Sequence, residues 1–159
     1  MSVLDILTLL VRDALWAGVA AVGFGFLFNV PRRHLPACAL LGAAGFTTRH
    51  LLTLVGASIE VGTLAGAVIV GLGGYMAARR MKAPTTIFTI TGSIPMVPGV
   101  FAYRTMLALL QVTTAATGEA GPLIEDAGVN AIRTGIMLAA LAIGIAFPSM
   151  VLDRQKPVV

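Results

Sequence analysis

Charge is what this sequence has least of. Only 11% of its 159 residues are Asp, Glu, Lys or Arg, while 57% are hydrophobic and the mean hydropathy is +0.93. A soluble domain of this size could not keep so much apolar surface from water, so the water-soluble classes are excluded. Cysteine is nearly missing too. Cys38 stands alone, which rules out a disulfide framework or a metal–thiolate site and leaves a small packing residue. No HExxH, GxSxG or Gly-rich phosphate loop occurs, and Gly23-Phe24-Gly25 lies inside an apolar run. The few carboxylates are scattered, with no pair set for acid–base work. No catalytic residue, metal site or cofactor is therefore expected.

The residues that are present are arranged in long apolar runs. They read as 14–29, 35–56, 61–78, 85–110 and 132–152, near the ~20 residues that cross a hydrocarbon core. The expectation is an all-α integral membrane protein of five transmembrane helices, with residues 1–159 as a single membrane domain. The second run is interrupted by Arg49 and His50, and a four-span arrangement would drop its first half. Charge placement decides for five. Arg32 and Arg33, then Arg79, Arg80 and Lys82, then Arg154 and Lys156 all fall on one side, the cytoplasmic one. Glu60 and the expected loop 111–129, with Glu119, Glu125 and Asp126 but no Lys or Arg, take the other side. The N-terminus is then outside and the C-terminus cytoplasmic. The net charge of +4 is accounted for by these flanks, so a nucleic-acid partner is not expected. Asp5 replaces a basic n-region, so no cleavable signal peptide is expected.

Several smaller signals agree with this layout. Trp16 falls at the expected outer interface and Tyr75 near the inner one. Asp5, Thr8, Arg12 and Asp13 recur on one helical face and extend the first helix backwards. Gly62, Gly66 and Gly73, with Ala77, line one side of the third span as a close-packing face. Five short spans enclose little interior, so self-association or a separate partner in the bilayer is expected.

The fourth span is broken. Ile94-Pro95-Met96-Val97-Pro98-Gly99 cannot continue a helix, because each proline removes a donor and clashes with the preceding turn. In lipid such a break survives only where protein or a water-filled cavity satisfies the freed backbone. Transporters use broken spans to build sites near the midplane. The half-helix after Gly99 offers free amides, with Tyr103 at the same level and Arg104 one turn further on. Thr89, Thr91 and Ser93 can satisfy backbone groups or meet a polar substrate.

Arg49 is the second feature, a cation near the centre of a span at a cost of ~2.5–3.5 kcal/mol on insertion scales. It either anchors a substrate carboxylate bidentately, pairs structurally with Glu60 or Asp13, or snorkels toward the outer face. His50 suits proton coupling or packing. Glu60, at a helix start, suits a proton acceptor, an Arg49 partner or a dipole-stabilised surface residue. Arg133 reads as an interfacial snorkelling residue.

The run 21–49, "AVGFGFLFNVPRRHLPACALLGAAGFTTR", and "SIPMVPGVFAY" at 93–103 resemble the threonine/serine exporter family. The resemblance covers nearly the whole chain and is closest to the small, YjjB-type subunit of its split, two-component members. It implies export of a small carboxylate metabolite, threonine, serine or succinate, across the bacterial inner membrane with a larger membrane subunit. Asn29, Pro31, Arg49, Glu60, Pro95, Pro98, Gly99 and Tyr103 match the family pattern, whereas His50 and Arg104 stand outside it. The candidate substrate residues are thus Arg49, Pro95, Pro98, Gly99, Tyr103 and Asn29, with Glu60 and His50 for proton coupling or ion pairing. A channel, a purely structural subunit and, least of all, an intramembrane enzyme are the alternatives.

Overall fold

Short polar and proline-bearing junctions set the helix ends in the computed structural model, which describes residues 3–114 and 120–152. Its described residues form six α-helices and no strands: α1 Val3–Leu27, α2 Leu35–Leu54, α3 Ile59–Met81, α4 Thr85–Ser93, α5 Gly99–Thr114 and α6 Ala120–Leu152. Short 3-10 turns at Arg32–His34 and Ile94–Met96 precede α2 and follow α4. Asn29 closes α1 in the left-handed region (φ 56°). Val30 N–H donates to the Gly25 carbonyl and Asn29 N–H to Phe26, the two crossed bonds of a Schellman cap. Asn is among the few side chains that tolerate this conformation. Ser58 caps α3 by accepting from Val61 N–H at 3.4 Å. Lys82, also left-handed, closes α3 behind Arg79 and Arg80, where cations favour the helix dipole.

Three helices are long and apolar enough to cross a membrane: Leu4–Leu27, Ile59–Met81 and Ala120–Leu152. Counting the interrupted pair 85–96 and 99–114 as one span makes four. The remaining helix, α2, has 20 residues but carries Arg49 and His50. The polar extension of the first helix is as expected, since α1 starts at Val3 and not at 14. The expected loop 111–129 is corrected. Helix α5 runs to Thr114, and α6 is already helical at Ala120, with Pro122 in its first turn, where a missing N–H costs least. Glu119, Arg154 and Lys156 lie outside the described residues.

The chain divides into two compact units, one of Met1–Met96 with Ala140–Val159 and one of Val97–Ala139. The division falls inside the proline break. In the first unit α2 packs against α1, α3 and α4. Glycines allow the contact. A Cβ built on Gly66 would stand 2.5 Å from the Gly45 carbonyl oxygen, and one on Gly62 would stand 2.9 Å from that of Arg49. Gly73 likewise faces Leu41, so the small-residue stripe of α3 is a packing face. Near the start of α2, Val30, Leu35, Cys38, Ala78 and Phe88 form a buried cluster, and Cys38 is a packing residue within it. Tyr75 is buried and not a lipid-facing ring, its hydroxyl accepting from Arg79 at 2.9 Å. Trp16 is exposed.

Candidate functional site

Two apolar surfaces bring the break to Arg49. Met96, the last residue of the 3-10 turn, is fully buried in a cluster with Ala67, Val70 and Leu141. Its side chain seats in the notch left by the missing side chains of Gly45 and Gly66. A built Cβ on Gly45 would meet the Met96 methyl at 3.0 Å, and one on Gly66 would meet its sulfur at 2.7 Å. Gly45 is one helical turn before Arg49 on α2. The notch thereby sets the Met96 carbonyl within reach of the guanidinium, and Arg49 Nη1 donates to it at 3.1 Å. The same guanidinium lies 4.4 Å from the centre of the Phe46 ring, a cation–π contact.

This hydrogen bond answers the backbone demand that the break creates. Pro98 and the turn at Val97 end the regular ladder, and an unpartnered carbonyl in lipid would cost several kcal/mol. Arg49 supplies a charged donor to it. The other freed-backbone candidates act locally. Thr89 and Thr91 donate to the carbonyls of Thr85 and Ile87 one turn back, and Ser93 donates to Ile90. All three are buried on α4.

A second polar contact joins α1 to α2. His50 Nδ1 is 2.7 Å from Asp13 Oδ2, and Arg12 Nε is 3.6 Å from Asp13 Oδ1. Asp13, which the sequence offers to Arg49, is held by its two other neighbours. Glu60 lies in the first turn of α3, two residues past the Ser58 cap. Pro95 is half-buried and touches the α2 notch, lying 3.6 Å from a Cβ built on Gly42. Asn29 is exposed at its cap just past the end of α1, more than four helical turns from Asp13 near the middle of that helix.

The remaining candidates belong to the second unit. Pro98 is buried, and Gly99 opens α5 with nothing within 4 Å of a built Cβ. Tyr103 is exposed (67%). Arg133 on α6 places its guanidinium 5.8 Å from the Phe101 ring centre. Arg104 faces a groove with Asp126, Asn130 and Gln111.

Two residues that build these sites, Met96 and Asp126, and one buried polar residue outside them, His34, are not among the candidates that the sequence offers. Met96 carries no signal of its role, because a backbone acceptor has no side-chain signature. His34 is buried, accepting from Arg33 Nε at 3.0 Å and meeting the Met81 sulfur at 3.4 Å. Asp126 falls in the expected loop 111–129; its spacing of four from Asn130 is the signal that marks a helix face.

The family described as threonine/serine exporter, ThrE, matches residues 13–151. No solved structure matches the chain.

Proposed function

The chain belongs to the threonine/serine exporter family, and from that premise we propose that it is the small subunit of a two-component exporter of small carboxylate metabolites. Family membership indicates an exporter-type membrane transport protein. The finer reading is a five-span subunit of the bacterial inner membrane, N-terminus outside and C-terminus cytoplasmic, working with a larger membrane partner. Threonine, serine and succinate are the candidate cargoes. The 33 residues of α6 span about 50 Å, more than the ~30 Å core. In the proposed topology the surplus is its first turns, 120–131, projecting on the outer side.

The observation that carries the reading is the Arg49–Met96 hydrogen bond. A guanidinium that holds a break carbonyl can exchange that neutral acceptor for a substrate carboxylate. The charged acceptor forms the stronger bond, and a planar fork can take it bidentately. Substrate capture at Arg49 then releases the Met96 carbonyl, and the break loses its tie to α2. Binding and rearrangement of the interrupted helix are coupled through one side chain, as alternating access requires. Pro95, Pro98 and Gly99 keep the segment from closing into continuous helix. The His50–Asp13 pair supports a proton-coupling role, since protonated imidazole would bind α1 to α2 as an ion pair. Glu60 is the second acidic group proposed for that step, and Tyr103 and Asn29 for substrate contact.

Efflux from vesicles loaded with labelled threonine, serine or succinate tests this. The chain is reconstituted alone, with its larger partner, and with the partner as Arg49→Gln. Efflux is expected from the pair, and Arg49→Gln should lower it about tenfold or more, the worth of one hydrogen bond to a charged group. Wild-type efflux from Arg49→Gln would leave the chain a structural subunit. Efflux of no candidate in any combination defeats the exporter reading.

A further inference from the structure

We propose that the second unit carries a separate binding site for a zwitterion, built by Arg104 and Asp126 across the groove between α5 and α6. The groove encloses about 320 Å³, at the lower end of ligand pockets and suited to a small metabolite. Arg104, Leu107 and Gln111 recur at intervals of three and four on α5, so they share one face. Leu123, Asp126 and Asn130 repeat the same intervals on α6. The two faces meet with a cation and an amide on one side and a carboxylate and an amide on the other. Leu107 and Leu123 supply the apolar wall.

The chemistry differs from that of the apolar cavities of the first unit. The cavity lined by Phe28, Val30, Ile87 and Ile90, for instance, is apolar apart from two threonines. Among the described residues, neither Arg104 nor Asp126 is spent in an ion pair. Asn130 Nδ2 donates to the Asp126 backbone carbonyl at 2.8 Å, so that amide engages the main chain and not the Asp126 carboxylate, and both residues line the groove. A ligand with one carboxylate and one ammonium matches this pair of charges. Its carboxylate takes Arg104 and its ammonium takes Asp126. A side-chain hydroxyl would find Gln111 and Asn130. A dicarboxylate would set its second negative charge against Asp126, a repulsion that selects against it. The site rests on the export reading for its purpose, not for its existence, and it discriminates between cargoes that Arg49 alone would accept equally.

Titration calorimetry on the intact chain in lipid nanodiscs tests it, with L-threonine, N-acetyl-L-threonine and succinate, in the wild type and in an Arg49→Gln background that silences the first site. Arg104→Gln should weaken both threonine and its acetylated form about tenfold or more. Asp126→Asn should weaken threonine by a similar factor, leave the acetylated form (which has no ammonium) unchanged, and improve succinate. Asp126→Asn keeps one ligand while losing another and so is its own folding control, and an unchanged circular-dichroism spectrum and melting midpoint serve for Arg104→Gln. Threonine binding unchanged by both substitutions, or absent from the wild type and the Arg49→Gln background, overturns the site. Neither result bears on efflux, and failure of efflux leaves the binding pattern standing.

Discussion

Arg49 lies on α2 with its guanidinium bonded to the Met96 carbonyl and stacked near Phe46, whereas Arg104 lies on α5 facing an open polar groove. The glycines of α2 and α3 that face a neighbouring helix differ from those of the second unit in the same sense. A Cβ on Gly42, Gly45, Gly62 or Gly66 would collide with a neighbouring helix, while Gly99, Gly121, Gly128 and Gly135 have nothing within 4 Å. In the first unit small residues bring backbones together, and polar groups are consumed in holding that contact. In the second the helices leave room, and Arg104 and Asp126 line an open groove. The difference separates a unit that fixes the position of the break from one that can read a ligand's charges.

The comparison breaks most visibly at Gly66. Gly66→Ala sets a methyl against the Gly45 carbonyl and the Met96 sulfur, and it should cost about 1–3 kcal/mol as an overpacking change. Thermal unfolding in detergent measures the loss, and an unchanged midpoint would mean that α2 and α3 are not held by this crossing. A smaller effect is expected at the α1–α2 contact. Asp13→Asn replaces a charged acceptor of His50 with a neutral one and should destabilise by about 1 kcal/mol, measured the same way. The opposite sign is expected in the second unit. Gly128→Ala meets no neighbour and removes backbone entropy from a helix interior, so it should stabilise by about 0.5–1 kcal/mol. Destabilisation there would show that the second unit is packed as tightly as the first.

Much of this was legible in the residues. Hydropathy and charge placement locate the apolar helices, because lipid demands long runs and cations mark their ends. The break was legible because proline acts locally, and α4 and α5 end and begin where Pro95 to Gly99 require. The glycine stripe of α3 was legible through its spacing. The partner of Arg49 was not. Among carboxylates the sequence offered Asp13 and Glu60, but the acceptor found is a main-chain oxygen, placed by the fit of Met96 between Gly45 and Gly66. That fit depends on helices distant in sequence. The groove stayed hidden for another reason. Polar residues between 111 and 129 suggested a loop, and only once α6 is seen to start at Ala120 do Leu123, Asp126 and Asn130 fall on one face.

The central claim is that substrate takes Arg49 from the Met96 carbonyl. Solid-state NMR on the chain in lipid bilayers reads that carbonyl directly. Carbonyl-labelled methionine with amide-labelled valine selects two peptides, Met96–Val97 and Met150–Val151. Saturating threonine should shift the Met96–Val97 signal to its position in Arg49→Gln and leave Met150–Val151 in place. A Met96–Val97 signal unmoved by threonine, in a preparation that exports it, would contradict the account.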